Sequence, residues 1–212
     1  MTETTVLQEE IIATPRPMTP YARALSCLQD GPSDILLVFD CDWTLYPYDC
    51  DKERMAPFSH LAWSGVHDCH WRSANSFPDV PGIFGAIADA GIPVAFLSRN
   101  SCAESLEDLL RTLPCDSKGI TAAKNLWDTM PSPHYFHAYS NNGIGKGKDR
   151  HFAALKAVSG ISFSNMLFFD DKEENIDAAV TQGSTSVHLD KLGLTVDAFI
   201  TGIDGWRKDA CF

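Results

Sequence analysis

Asp40 and Asp42 are the first residues in the chain whose types and spacing could do chemistry. They follow the unbroken apolar run Ile35-Leu36-Leu37-Val38-Phe39. An apolar run this short and rich in β-formers reads as a strand buried on both faces, in the middle of a parallel sheet. The carboxylates then emerge at its C-terminal end, where open α/β sheets hold their ligands. Alternation puts Asp40 and Asp42 on one side with Cys41 between them. Two carboxylates so placed repel unless a cation or a proton relieves them, so the pair implies a metal site, acid/base work, or both.

Two further strands end the same way. Val94-Ala95-Phe96-Leu97 leads into Ser98-Arg99-Asn100, and Met166 to Phe169 leads into Asp170-Asp171. One polar residue after a strand is an ordinary start of a loop, but three such endings on one sheet, four of the five groups carboxylates, call for a hard cation. Oxygen ligands with room for water suit Mg²⁺ better than zinc. His67-Asp68-Cys69-His70 has no second ligand pair and reads as a polar loop. Phosphoryl chemistry with a carboxylate also needs a cationic side chain, because both reactants are anions. Lys148, at the start of a helix before the strand that carries Asp170, can reach that strand end; Lys146 is the alternative.

The elements that must position these groups follow from hydrophobic period. Thr19-Pro20 opens a short helix closing near Gly31, and Asp79 precedes one whose apolar residues are Val80, Ile83, Phe84, Ile87 and Ala88, stopped at Gly91. Ser101 to Glu104 reads as a capping box before Leu106, Leu109, Leu110 and Leu113. Tyr135, Phe136 and Tyr139 suggest a third strand, with Trp127 and Met130 in a short helical cover before it. A helix runs from Lys148 to Gly160, another carries Ile176, Ala179 and Val180, a fifth strand spans Thr185 to Leu189, and Thr195 caps a last helix. Strands alternating with helices predict an α/β fold, a doubly wound parallel sheet of about five strands. Residues 1–18 are expected to be a flexible tail, and 19–212 a single domain with a small flap around 46–78.

Composition narrows the classes. A chain of 212 residues, 44% hydrophobic, can bury a sizeable core. Its net charge of -11, from 17 Lys plus Arg against 28 Asp plus Glu, argues against a nucleic-acid partner. The seven cysteines are odd in number and form no CxxC, which favours reduced thiols. No apolar run approaches the ~20 residues of a membrane span and the N-terminus is acidic and polar, so no membrane is expected and the location read is cytoplasmic.

These residues resemble a known family. FDCDWTL matches the DxDxT/V signature of the haloacid dehalogenase superfamily, LSRN its second motif, Lys148 its third, and FFDDKEEN its acidic fourth. VFDCDWTLYPYDCD, KDRHF and FFDDKEENI together are similar to its magnesium-dependent phosphatase group, related to the capless protein-phosphatase branch. The resemblance covers roughly residues 34 to 205 and departs from the group at Cys41 and Trp43, where an aliphatic residue and Tyr are usual. It implies a Rossmann-like core and a phosphomonoesterase acting through an aspartyl-phosphate. Asp40 would be the nucleophile and Asp42 the proton donor and then base. Mg²⁺ would be held by Asp40, the main-chain carbonyl of Asp42, and Asp170, with Asp171 direct or through water. Ser98, main-chain N–H groups and Lys148 would bind the phosphoryl oxygens. Thr44 would orient Asp42 or its loop, Asn175 support the acidic loop, and Cys41, Thr44 and Arg99 are candidate substrate contacts.

Size bears on the substrate. After the helix and strand that must fit between Asp42 and Ser98, about 30 residues remain beyond Tyr48, enough for a hairpin or flap but not a cap domain. An open site suits a substrate whose bulk stays outside: a phosphorylated small molecule or a phosphoprotein side chain, including aryl, phosphotyrosine-like and sugar phosphates. Tyr46, Tyr48, Trp63 and Trp71 could line the entrance. A phosphotransferase or mutase, a non-catalytic Mg²⁺-binding module and a signalling receiver domain are the alternatives. Motif order disfavours the receiver, whose acidic pair lies near the start of the chain rather than at the end.

Overall fold

The computed structural model describes residues 17–29, 34–118, 124–140 and 147–210. Residues 1–16 of the tail expected at 1–18, and Lys146, lie outside these residues. Five strands, β1 (Leu36–Phe39), β4 (Val94–Ser98), β5 (Phe136–Ala138), β6 (Met166–Asp170) and β7 (Thr185–His188), form one parallel sheet in the order β5-β4-β1-β6-β7. The chain starts at the centre, builds outward to one edge, then crosses back to the other. That reversal leaves a crevice at the C-terminal ends of β1, β4 and β6.

Helices cover both faces. α5 (Asp149–Ser159) and α6 (Glu173–Thr181) bury Phe152, Leu155 and Ala179 against Leu36, Val38, Ala95, Leu97 and Phe168. The other face carries the larger core, where α1 (Pro20–Gln29), α3 (Val80–Ala90), α4 (Ala103–Thr112) and α7 (Val196–Ala210) pack on Leu37, Phe39, Phe96 and Phe169. Phe39 stacks on Phe169 at 5.1 Å and packs on Phe84 at 4.9 Å. Removing a ring such as Phe84 would cost roughly 3–5 kcal/mol, because neighbours fixed by the sheet cannot close the cavity.

Between β1 and α3 lie a single turn of helix, α2 (Cys50–Glu53), and an antiparallel hairpin, β2 (Ser59–Leu61) with β3 (Gly65–His67). No cap domain stands over the strand ends among the described residues. Two local expectations fail. Ser101 does not cap α4: the helix starts at Ala103, and the Asn100 side chain accepts from the Cys102 N–H at 2.8 Å while the Ser101 hydroxyl turns to Asp51. Tyr46 and Tyr48 are buried and stacked on each other at 4.5 Å, so they are not at an entrance; Trp63 and Trp71 are exposed.

Candidate active site

Register brings the acidic groups together. Phe39 pairs with Phe169, so the next residues, Asp40 and Asp170, fall at the same level, and the Asp40 N–H bonds the Phe169 carbonyl at 2.9 Å. Leu36, Val38, Met166 and Phe168 face the α5/α6 side, and alternation sends Asp40 and Asp170 the same way. From that side comes Lys148, at the N-terminus of α5. Gly147 before it has φ +64, and a Cβ there would stand 2.5 Å from the Glu174 carbonyl, so only glycine lets the chain enter so close to α6.

Lys148 is fully buried. Its ammonium donates to Asp40 Oδ1, to Asp170 Oδ2 at 2.8 Å and to the Leu97 carbonyl at 2.5 Å. All three N–H groups are committed, so the lysine holds the nucleophile candidate and β6 rather than presenting a free donor to a phosphoryl oxygen. Burial alone would lower its pKa, but Asp170 and Asp40 outweigh that and raise it. One lysine against two buried carboxylates leaves negative charge in excess. Burial, with Asp170 adding to it and Lys148 opposing, pushes Asp40 up to about 8.

Asp171 completes the acidic group. Carboxylate oxygens of Asp40, Asp170 and Asp171 lie within 4.8 Å of one another, and Asp171 Oδ1 is buried with no hydrogen-bond partner. Burial and then Asp170 raise the Asp171 pKa. An orphaned carboxylate oxygen, an all-oxygen donor set and an excess of negative charge fit a hard divalent cation. Asn175, buried on α6, donates to both oxygens of Asp170 at 2.9 and 2.8 Å and so supports the acidic loop as expected.

Asp42 is held apart from this trio. Its Oδ1 accepts from the Tyr46 hydroxyl at 2.8 Å and the Cys50 N–H at 2.9 Å, and its Oδ2 from Asn100 Nδ2 at 3.2 Å. Its carboxylate groups with Asp49 and Asp51, so the side chain is not a fourth ligand beside Asp40, Asp170 and Asp171. Burial raises its pKa against the pull of those three donors. The arrangement suits a proton carrier held at a fixed angle.

Ser98, Arg99 and Asn100 line a cleft of about 300 Å³ with Asp40, Asp42 and Lys52. Ser98 Oγ accepts from the Asn100 N–H at 3.1 Å, which leaves its own proton to donate. Arg99 pairs with Glu174 at 2.5 Å on the rim. Cys41 and Thr44 do not line the cleft. Cys41 is fully buried in the larger core because alternation turns it away from Asp40. Thr44, also buried, donates to Asp40 Oδ2 at 3.4 Å and so backs Asp40, not Asp42.

Three contributors went unseen in the sequence: the Asn100 side chain on Asp42, Tyr46 on the same carboxylate, and His151. His151 Nε2 lies 2.9 Å from the Ser98 carbonyl and 3.0 Å from that of Tyr139, whose ring stacks on the imidazole at 4.1 Å. With Nε2 carrying the proton, His151 ties β4 to the chain after β5. The polar residues at strand ends could not reveal these partners, which are set by tertiary approach. The His67 to His70 cluster is structural: the Asp68 carboxylate accepts from the N–H groups of His70 and Arg72 and from Arg72 Nε.

The Acid Phosphatase family profile matches residues 33–209. The chain belongs to the acid phosphatase family. A human protein named "Magnesium-dependent phosphatase 1" is 29% identical over 174 residues, 82% of this chain and 87% of its own. A Schizosaccharomyces pombe protein named as a HAD-like hydrolase is 26% identical over 141 residues, 66% of this chain and 76% of its own. A solved hypothetical protein from Xanthomonas campestris covers 92% of this chain and 95% of its own at 13% identity and a TM-score of 0.38, too loose to add to the fold. The family member described here is thus a phosphatase of haloacid dehalogenase type. Among the described residues no helix is long and apolar enough to cross a membrane.

Proposed function

We propose that the protein is a Mg²⁺-dependent phosphomonoesterase working through an aspartyl-phosphate on Asp40. The observation that carries this reading is Asp40 itself: a strand-end carboxylate pinned by Lys148, within 4.8 Å of two further carboxylates, opening on a polar cleft. Asp40, Asp170 and Asp171 would hold Mg²⁺, which supplies charge neutralisation for the phosphoryl group and keeps Asp40 ionised.

Asp40 Oδ2 is the freer oxygen, since Oδ1 is bonded by Lys148 and Oδ2 only by Thr44 at 3.4 Å. It attacks phosphorus, the ester P–O bond breaks, and the leaving oxygen takes the electron pair and a proton from Asp42. Water, losing a proton to Asp42, then attacks phosphorus and releases phosphate and Asp40. The Ser98 hydroxyl and main-chain N–H groups after Asp40 meet the phosphoryl oxygens. With no cap domain above the strand ends among the described residues, the substrate is a phosphorylated small molecule or a phosphoprotein side chain, of aryl, phosphotyrosine-like or sugar type. Nucleic acid and membrane are not partners in this reading.

Purified protein with Mg²⁺ is tested on phenyl phosphate, a phosphotyrosine peptide and a hexose phosphate, beside Asp40→Asn. Turnover that needs Mg²⁺ and disappears in the variant is expected. No hydrolysis across the panel, or full activity in the variant, would sink the reading.

A further inference from the structure

A second opening adjoins the cleft. It is a groove of about 700 Å³ that shares Asp49 and Lys172 with the cleft and runs past Asp171 to Leu189 and Lys191, with Trp43 on its wall. Trp43 is the residue after the proton carrier Asp42. Its φ of 61° lies in the left-handed region, where bulky residues are rare and glycine or asparagine fit more easily. The turn that imposes this φ is closed by the Trp43 N–H on the Tyr46 carbonyl at 2.9 Å, a contact glycine would make equally well. What only tryptophan adds is its indole, 38% exposed where most of the chain's aromatic rings are packed inside. Backbone strain kept alongside an exposed ring at a cleft edge points to use of the ring.

Charge does not define this groove. Asp49, Asp171 and Asp190 are set against Lys172 and Lys191, and Asp49 is paired with Lys52 at 3.0 Å while Asp190 caps the Leu192 N–H at 2.8 Å. Selectivity is left to the flat apolar surface of Trp43, with Leu189 beside it. In the phosphomonoesterase reading the leaving group takes its proton from Asp42, and Trp43, the next residue in the chain, lines the groove that adjoins the cleft.

We propose that Trp43 is the leaving-group platform of the site: the groove takes the planar, unsaturated body of an aryl phosphate, its face on the indole. This rests on the phosphomonoesterase reading and adds direction, placing the substrate's body toward β7 rather than toward the β2–β3 hairpin. The rival rings are Trp63, in the turn of that hairpin, and Trp71, just after it, which is also exposed and also left-handed at φ 62°.

Two measurements test it. In the first, kcat/KM with Mg²⁺ is compared for phenyl phosphate and for ethyl phosphate in the wild type, Trp43→Ala, Trp43→Phe and the control Trp63→Ala. Trp43→Ala should lose about tenfold on the phenyl ester and less than twofold on the ethyl ester, with Trp43→Phe restoring most of the loss and Trp63→Ala unchanged. Equal losses on both esters, no loss on either, or a selective loss in Trp63→Ala would overturn the platform while leaving the phosphatase reading intact. The second needs no turnover. The indole N–H resonance of Trp43, assigned by its absence in Trp43→Phe, should move on adding phenylphosphonate and stay in place with methylphosphonate. A resonance that ignores phenylphosphonate refutes the platform even if neither ester is hydrolysed.

Discussion

Lys148 precedes Asp170 by 22 residues, yet its ammonium donates to Asp170 Oδ2 at 2.8 Å with both side chains fully shielded from solvent. The same ammonium bonds Asp40, so one cation ties the first strand of the sheet to the fourth. Lys148→Met removes it and leaves two carboxylates facing each other, Asp170 fully buried and Asp40 nearly so at the floor of the cleft. Metal-free variant is expected to be less stable by about 3–5 kcal/mol in urea denaturation, the usual cost of breaking a buried pair by deleting one partner. Added Mg²⁺ should recover part of the loss, since it offers the same carboxylates another cation.

Asp171 Oδ1 is buried without a hydrogen-bond partner, whereas both oxygens of Asp170 accept hydrogen bonds. If that oxygen is a metal ligand, Asp171→Asn should weaken Mg²⁺ binding in calorimetry by about tenfold or more, while the fold's stability without metal holds or rises as a crowded charge is removed. Unchanged Mg²⁺ affinity would assign the metal to Asp40 and Asp170 alone.

Asn100 donates to Asp42 and thereby favours its charged form. In Asn100→Ala the Asp42 pKa should climb further, so whichever limb of the pH–rate profile Asp42 governs moves to higher pH. Loss of the Cys102 N–H acceptor should also cost about 1 kcal/mol of stability. A profile that keeps its position while activity falls would mean that Asn100 positions the loop only.

His151 carries an acid-stability consequence. Burial, and then the charge of Lys148, push its imidazole down to about 4. The unfolded chain therefore binds a proton that the folded one refuses between about pH 6.5 and 4. Stability from this group is full above that window and lost as pH falls through it, up to ~3 kcal/mol. Denaturation midpoints followed from pH 7 to 4 should show this slope, and His151→Gln should flatten it.

Much of this was legible in the sequence because the chemistry sits at strand ends. An apolar run that stops at a carboxylate marks both a strand and the place where its side chain meets the crevice, so Asp40, Ser98 and Asp170 could be read together. Lys148 was legible through charge: two acidic strand ends need a cation. Asn100, Tyr46 and His151 were not, because each is an ordinary residue until a distant segment arrives. Tyr46 read as an entrance aromatic, yet the turn after Asp42 folds it inward to donate to that carboxylate. The false capping box at Ser101 has the same origin: the helix starts one residue later than the motif implies, with Asn100 accepting from the Cys102 N–H and the Ser101 hydroxyl drawn to Asp51.

Cys41 lies between Asp40 and Asp42 in sequence but on the opposite face of the sheet, fully buried, its thiol pushed well above the ordinary range by burial and then by Asp40 and Asp42. Such a sulfur stays protonated and out of reach of alkylating agents and peroxide, while the exposed Cys69 and Cys102 do not share that shelter. Iodoacetamide should therefore mark Cys69 and Cys102 and leave Cys41 unmodified in the native protein. The phosphatase carries a cysteine inside its own signature and is built so that redox chemistry at that sulfur stays silent.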